Sequence, residues 1–226
     1  MTPGMPARRF RRYLGAGAIS WLVAGLAACG GGSGEASGAS AVEPMSFAAA
    51  PALGPAPTPL PRSSGVNVCD GYRFGSRDIE NLSVPDGARC VLDRGVVVDG
   101  NVELGDRSEL YAQGVRVGGN VQGQRAAAVV LETSTVAGNV QLDIGGAITL
   151  RDNAIGGSIQ LVANGAAVHV LGNVVDSDIQ LFDNVAGVWV RDNTVDGNLQ
   201  CKQNQPVPTG GGNRVQGNKE DQCAPL

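Results

Sequence analysis

The sequence predicts an all-β fold, a single-stranded parallel β-helix (a solenoid) with about 19–20 residues in each coil. The first observation is the phrase Gly-Asn-Val-Gln-Leu at residues 138–142, which belongs to seven related copies spaced 19, 19, 19, 20, 20 and 20 residues apart. The second is an alternation of apolar and polar residues in three short runs per unit, which is typical of strands. A unit of this length is too short for a helix pair or a propeller blade, so it fits one coil, and the coil length favours a right-handed winding. The copies begin at Gly100, Gly119, Gly138, Gly157, Ser177, Gly197 and Gly217.

Apolar residues recur at fixed places in the repeat, which identifies the side chains that fill the coil. They are mostly β-branched and alternate with polar residues, so they are predicted to point inward and form the core. The column at the Val of the phrase is Val102, Val121, Val140, Ile159, Ile179 and Leu199. The column two residues later is Leu104, Gly123, Leu142, Leu161, Leu181 and Cys201. The column two residues before the phrase is Val98, Val117, Val136, Ile155, Val175, Val195 and Val215.

Asparagines also recur at the spacing of one coil. Asn tolerates the left-handed backbone conformation that a sharp corner needs, so these residues are predicted to form corners. Their side-chain amides are predicted to stack as a hydrogen-bonded ladder, and the Gly that opens each phrase is predicted to serve a similar corner role. The two sets are Asn153, Asn173, Asn193 and Asn213, and Asn164, Asn184 and Asn204.

Two outward rows are candidate binding surfaces. The first holds amides and carboxylates, and it is predicted to form a hydrogen-bonded ladder on a parallel sheet. The alternative is a regular polar surface for a glycan or another repeating ligand, with Gln141, Gln160 and Gln180 as its candidate residues. The full row is Glu103, Gln122, Gln141, Gln160, Gln180, Gln200 and Glu220.

The second outward row is partly aromatic. Tyr111, His169 and Trp189 are its candidate binding residues, and Phe182 is expected nearby. An exposed aromatic residue is informative when it joins a contiguous patch, so this row predicts a surface for binding or self-association. An incidental surface is the alternative.

A catalytic function is weighed against these surfaces because parallel β-helices include pectin-cleaving enzymes. Paired carboxylates in the repeat suit glycosidase chemistry, so a polysaccharide lyase or glycoside hydrolase is the alternative function. Turns recruit Asp for structural reasons, however, and each coil is too short to carry an active-site loop. We therefore assign no catalytic residue and expect no enzyme. The acids concerned are Asp152, Asp192, Asp176, Asp178 and Asp196.

Residues 1–28 are predicted to be an export signal. Four arginines between residues 8 and 12 precede an apolar run that is short for a stable membrane span, and no acid occurs before Cys29. The run ends in Leu-Ala-Ala-Cys, which resembles the lipobox of bacterial lipoproteins; an ordinary signal peptide with a chance Cys is the alternative. The resemblance implies cleavage before Cys29 and acylation of its thiol and amine, which makes membrane lipid its partner. By analogy with Gram-negative sorting, Gly30 after the Cys favours the outer membrane.

The mature chain is predicted to have three parts. Residues 29–64 are rich in Gly, Ala, Ser and Pro and are expected to be a disordered tether. Residues 65–94 are expected to form N-terminal cap coils, and residues 95–226 the regular β-helix with a disulfide-capped end. Loss of the four arginines leaves 13 basic against 21 acidic residues, about −8, which argues against nucleic acid as a partner.

The cysteines other than Cys29 are predicted to form two disulfides. Four cysteines allow three pairings. Cys69 and Cys90 are 21 residues apart, and Cys201 and Cys223 are 22 apart, so each pair is separated by about one coil. Residues stacked on neighbouring coils lie ~4.8 Å apart, within the range of a disulfide, whereas the crossed pairings would have to bridge several coils. No CxxC pair is present and the chain has one histidine, so no metal or cofactor is expected.

The C-terminal residues 197–223 run from Asn-Leu-Gln-Cys-Lys through Gly-Gly-Gly-Asn to Gly-Asn-Lys-Glu-Asp-Gln-Cys. This ending resembles that of a group of uncharacterised secreted bacterial repeat proteins, and the resemblance extends over roughly residues 84–223. It implies an exported β-helix and carries no assigned activity or site residue. Together with the lipobox, it leads us to expect a lipid-anchored structural or binding module at the cell envelope, with an envelope glycan or protein as partner.

Overall fold

A computed structural model describes residues 65–71, 73–74 and 78–226 of the chain. The predicted signal, Cys29 and the tether lie outside the described residues. The part that is described contains strands and turns and no helix. It therefore holds no helical segment long and apolar enough to cross a membrane.

Three parallel sheets make up the described part of the chain, and each coil adds one strand to each of them. Sheet A contains β1 (Val66–Val68), β4 (Asn81–Val84), β7 (Val102–Leu104), β10 (Val121–Gln124), β13 (Val140–Asp143), β16 (Ile159–Val162), β19 (Ile179–Phe182), β22 (Leu199–Lys202) and β25 (Lys219–Asp221). Sheet B contains β2 (Arg73–Phe74), β5 (Arg89–Leu92), β8 (Glu109–Gln113), β11 (Ala128–Glu132), β14 (Ala147–Arg151), β17 (Val168–Leu171), β20 (Val188–Arg191) and β23 (Thr209–Gly211). Sheet C contains β3 (Asp78–Ile79), β6 (Val97–Val98), β9 (Arg116–Val117), β12 (Thr135–Val136), β15 (Ala154–Ile155), β18 (Val174–Val175), β21 (Thr194–Val195) and β24 (Arg214–Val215).

This order of strands confirms the predicted parallel β-helix. Neighbours in every sheet are three strands apart in the chain, as one full coil requires. Strands from residues 66–92, the predicted cap segment, pair in the same three sheets as the later coils. The right-handed winding stays a prediction.

The apolar columns predicted from the sequence stand in register and fill the interior. Val140 pairs with Ile159, and Ile159 pairs with Ile179, with the intervening Gln residues paired in the same way. Ile159 and Ile179 have no exposed surface. A continuous core therefore runs from coil to coil, because each strand buries every second side chain.

The asparagine ladders are confirmed, but their predicted backbone role is wrong. The left-handed residue at these corners is the one before each Asn, for example Asp152 before Asn153 and Asp183 before Asn184. The side chain of that residue faces outward, whereas the Asn turns inward. The buried amide of Asn153 donates to the main-chain oxygen of Leu131, so the ladder satisfies backbone groups that the corner leaves unpaired.

The Gly at the start of the phrase is needed because the preceding coil lies close to it, and not because its backbone is left-handed. A Cβ at Gly138 would lie 2.8 Å from the carbonyl oxygen of Gly119 in the preceding coil. The coils thus approach too closely at this corner for a side chain in the six copies that open with Gly, whereas the fifth copy accommodates Ser177. The predicted left-handed conformation is wrong.

Both predicted disulfides are bonded in the structure. Cys69 joins Cys90 with a Cα–Cα distance of 5.5 Å, and Cys201 joins Cys223 with a distance of 5.1 Å. All four residues are fully buried. One bond therefore lies in each terminal region of the described solenoid.

Candidate binding surfaces on sheets A and B

The amide row on the outer face of sheet A forms the predicted ladder over four steps. Gln141 Nε2 donates to Gln160 Oε1 at 2.8 Å, and Gln160 Nε2 donates to Gln180 Oε1 at 2.9 Å. The same contact joins Gln180 to Gln200 at 3.0 Å, and Gln200 donates to the Glu220 carboxylate at 2.8 Å. In every bond the side chain of the earlier coil donates to that of the next coil, and the ladder ends at the Glu220 carboxylate, which can only accept.

The first two of the seven residues in this row do not join the ladder. Within the described residues, the side chains of Glu103 and Gln122 take part in none of the hydrogen bonds, although both stand in register with Gln141. A depression of about 460 Å³ lies here. Its lining includes Glu103, Gln122, Gly123, Gln124, Gln141 and Asp143. Partial burial at this site raises the pKa of the Asp143 carboxyl above its ordinary value.

Sheet B carries a stacked pair of rings on its outer face. The centroids of His169 and Trp189 are 4.7 Å apart, with 20° between the ring planes. Trp189 nevertheless keeps 41% of its surface exposed. A Cβ at Gly187 would lie 2.9 Å from the indole ring, so the absence of a side chain there lets the ring lie against the sheet.

Tyr111 stands in the same row but not in the same patch. Val130 and Thr149 separate it from His169, and three coil steps of ~4.8 Å place it about 14 Å away. The guanidinium carbon of Arg89 lies 4.5 Å from the centre of the Tyr111 ring. The ring is therefore engaged in a cation–π contact of its own.

Phe182 does not contribute to the ring pair. It belongs to β19 in sheet A, where it pairs with Val162 and Lys202, whereas Trp189 belongs to sheet B. Among the described residues, the stacked rings are those of His169 and Trp189, so a contribution of Phe182 to the aromatic patch stays a prediction.

A third ladder runs along the Asn of the phrase, and the sequence reasoning missed it. The Asn120 N–H donates to Asn101 Oδ1 at 2.8 Å, and the Asn139 N–H donates to Asn120 Oδ1 at 2.8 Å. The signal was present, because Asn occupies this place in five of the seven copies. Its role here is to accept a backbone N–H from the next coil.

Three of the five acids weighed as catalytic residues make contacts within the fold, and among the described residues the side chains of Asp152 and Asp176 make no hydrogen bond or ion pair. Asp178 Oδ1 accepts the Asn198 N–H at 2.6 Å and replaces Asn in the third ladder. Asp196 accepts from Gln216 Nε2 at 2.7 Å, and Arg191 contacts Asp192 at 3.1 Å. Among the described residues, no group of three or more His, Cys, Asp or Glu is placed to hold a metal ion.

The fold and its surfaces define the class as a parallel β-helix repeat protein with two disulfides. Comparison with protein-family models, with curated proteins and with solved structures finds no match for this chain. The functional argument therefore depends on its own residues.

Proposed function

We propose that this chain is an exported, lipid-anchored β-helix protein that acts as a non-catalytic structural or binding module at the bacterial cell envelope. The observation that carries the proposal is the exposed ring pair of His169 and Trp189. Trp189 is 41% exposed and stacks on His169, so the two rings together offer a partner one flat, contiguous aromatic surface. Trp residues in such positions are enriched among those that dominate binding energy.

An envelope glycan or protein is the proposed partner of this surface. The amide row through Gln141, Gln160 and Gln180 supplies a regular polar face on a neighbouring sheet. A non-catalytic role is favoured because Asp178, Asp192 and Asp196 hold backbone or side-chain groups of the fold. A general acid or nucleophile needs its carboxyl free to meet the substrate.

The anchor is assigned to Cys29, with the outer membrane as the destination. Acyl chains contribute roughly 0.8 kcal/mol per buried CH₂, and more than one chain is needed for stable anchoring. We expect Cys29→Ser to move the protein from the membrane fraction to the soluble fraction. Equal membrane retention of both forms in fractionated cells would contradict the lipid anchor.

The binding role is tested with the full chain immobilised through detergent micelles and incubated with envelope polysaccharide and protein fractions. We expect Trp189→Ala to lower retention of the partner at least fivefold. Val174→Ala is the matched control, since Val174 is 49% exposed on sheet C. Equal retention by Trp189→Ala would contradict the ring pair as the binding surface, and release of new sugar ends from the polysaccharides would contradict a non-catalytic role.

A further inference from the structure

We propose that the depression around Gly123 on sheet A is a second binding site, which takes a short saccharide without acidic groups. It lies apart from the ring pair on sheet B and does not depend on the lipid anchor or on Trp189. The amide ladder of sheet A stops at this depression, and polar side chains are left unpaired beside its concave surface.

The depression accompanies a break in a core column. Gly123 stands in register with Leu104 and Leu142, in a column that is Val, Leu or Cys in the other described coils until Asp221 in the last one. A Cβ at Gly123 would lie 2.7 Å from Leu104 Cβ, so the strand sits too close to the preceding coil to carry a side chain. Backbone and Leu104 therefore help to line the depression, which has a volume of about 460 Å³, within the usual range of small-ligand sites.

Most of the polar side chains around this surface have no partner within the described part of the chain; Gln160 and the Nε2 of Gln141, at its edge, belong to the ladder. None of the hydrogen bonds or ion pairs among the described residues involves the side chains of Glu103, Gln122, Gln124 or Asp143, and Gln141 Oε1 accepts none. Further along the same row, Gln160, Gln180 and Gln200 both accept and donate in the ladder. The contrast places the free hydrogen-bonding capacity of the row at the depression.

These amide and carboxylate side chains favour a ligand that carries hydroxyl groups. Each amide offers two donors and an acceptor, and each ionised carboxylate offers only acceptors. A sugar hydroxyl both donates and accepts, so neighbouring hydroxyls on a ring can meet an amide and a carboxylate together. Gly123 carries no side chain, so the half-buried backbone of its strand is open to a ligand between these groups.

The charge of the site excludes acidic ligands. Its lining includes two carboxylates, Glu103 and Asp143, and no basic residue. Arg125, which follows Gln124, is held by Asp106 through hydrogen bonds of 2.7 to 2.9 Å and is not free to attract an anion. Uronic acids and phosphorylated sugars are therefore repelled.

The extent of the site indicates more than one sugar ring. The unpaired part of its outward row runs from Glu103 to Gln141, which is two coil steps or about 10 Å at ~4.8 Å per step. A short oligosaccharide lying along the coil axis would meet one amide or carboxylate in each coil.

The test measures binding of cellotetraose, maltotetraose and tetragalacturonate to the purified full-length chain by titration calorimetry. We expect at least one neutral tetrasaccharide to bind and tetragalacturonate to bind at least tenfold more weakly. Asp143→Val should weaken binding at least tenfold, and Val suits the position because Val162 is its partner in the next coil. Gln122→Ala should weaken binding about threefold or more and serves as the second variant if Asp143→Val does not fold.

The matched control is Lys202→Val, which changes the same column three coils away from Asp143 and should leave binding unchanged. Trp189→Ala should also leave it unchanged. Loss of binding in Trp189→Ala but not in Asp143→Val would overturn this site while supporting the ring pair. The proposal would be overturned if neither neutral sugar binds, or if tetragalacturonate binds more tightly than they do. Neither result would bear on the proposed role at the cell envelope, which the binding test with Trp189→Ala addresses.

Discussion

Asn173 donates a hydrogen bond from Nδ2 to Oδ1 of Asn193 at 3.1 Å, and both side chains are fully buried. The same nitrogen donates to the main-chain oxygen of Leu150 at 2.9 Å. Asn173 Oδ1 in turn accepts from the backbone N–H of Asn153 at 3.1 Å and from its side-chain amide at 3.0 Å. The amide thus uses its full hydrogen-bonding capacity to tie one corner together across three consecutive coils.

Asn173→Ala is therefore expected to destabilise the fold strongly. The substitution removes the acceptor of the buried Asn153 N–H and the side-chain donor to the Leu150 carbonyl, whereas Asn193 Oδ1 keeps the N–H of residue 173. Each unsatisfied buried group costs about 1–3 kcal/mol. We expect the free energy of unfolding, measured in urea, to fall by about 3 kcal/mol or more.

The control for this corner is Gln180→Ala on the outer face of sheet A. It also breaks two ladder bonds, but the groups it frees are half-buried and reach water, so a loss of about 1 kcal/mol or less is expected. Equal losses in the two variants would show that the buried ladder has no special role.

The coil, its core columns and its disulfides could be predicted because a β-helix repeats its environment once per coil. Ile159 and Gln160 alternate inside and outside in every unit, so their faces follow from the period alone. Cys201 occupies a Leu position one coil before Cys223, which limits its partners by distance.

Details within the coil could not be predicted, because they depend on contacts between corners. The left-handed residue is Asp152 and not Asn153, since the buried amide is needed for the ladder and the outward residue makes the turn. Gly123 was visible as an exception in a Leu column. The depression beside it depends on how closely that strand approaches Leu104, which no spacing reveals.

Ile159→Asp tests the assignment of inside and outside. Ile159 has no exposed surface, so the new carboxylate would be buried without a partner and should cost at least about 3 kcal/mol. Gln160→Asp changes the adjacent outward residue and should cost about 1 kcal/mol through its ladder bonds. Thermal melts of the two variants compare these costs, and similar losses would mean that the two faces are wrongly assigned.

Asp143 gives a pH dependence whose sign is fixed by its raised pKa. Partial burial makes its carboxyl bind a proton more tightly in the folded chain than in the unfolded chain. Its contribution to stability is fully present below the ordinary pKa of Asp and is lost as the pH rises through the raised folded value. Relative to Asp143→Asn, the wild type should therefore lose stability over this range. Urea unfolding of both proteins between about pH 3 and 7 measures this, and a relative gain with rising pH would contradict it.

The final coil is expected to depend on the Cys201–Cys223 disulfide. In this coil Lys219 and Asp221 stand where earlier coils have an apolar pair, so β25 has little core of its own. Cys223 is fully buried, and Lys219 Nζ donates to the main-chain oxygen of Leu226 at the chain end. Removing a native disulfide from a small secreted domain typically costs about 2–5 kcal/mol. We expect Cys223→Ser to lower the unfolding free energy within this range and to speed hydrogen exchange first in β25.

Peptide mapping of the non-reduced protein checks the pairing on which that expectation depends. One crosslinked peptide should join Cys201 to Cys223 and another Cys69 to Cys90. A peptide joining Cys69 to Cys201 or Cys223 would contradict the stacked coils, since those residues lie several coils apart.

The hydrogen-exchange experiment has its own contrary outcome. Slow exchange in β25 of Cys223→Ser would show that the hydrogen bonds between β22 and β25 hold the last coil without the crosslink, because Leu199 and Lys219 remain paired in the sheet.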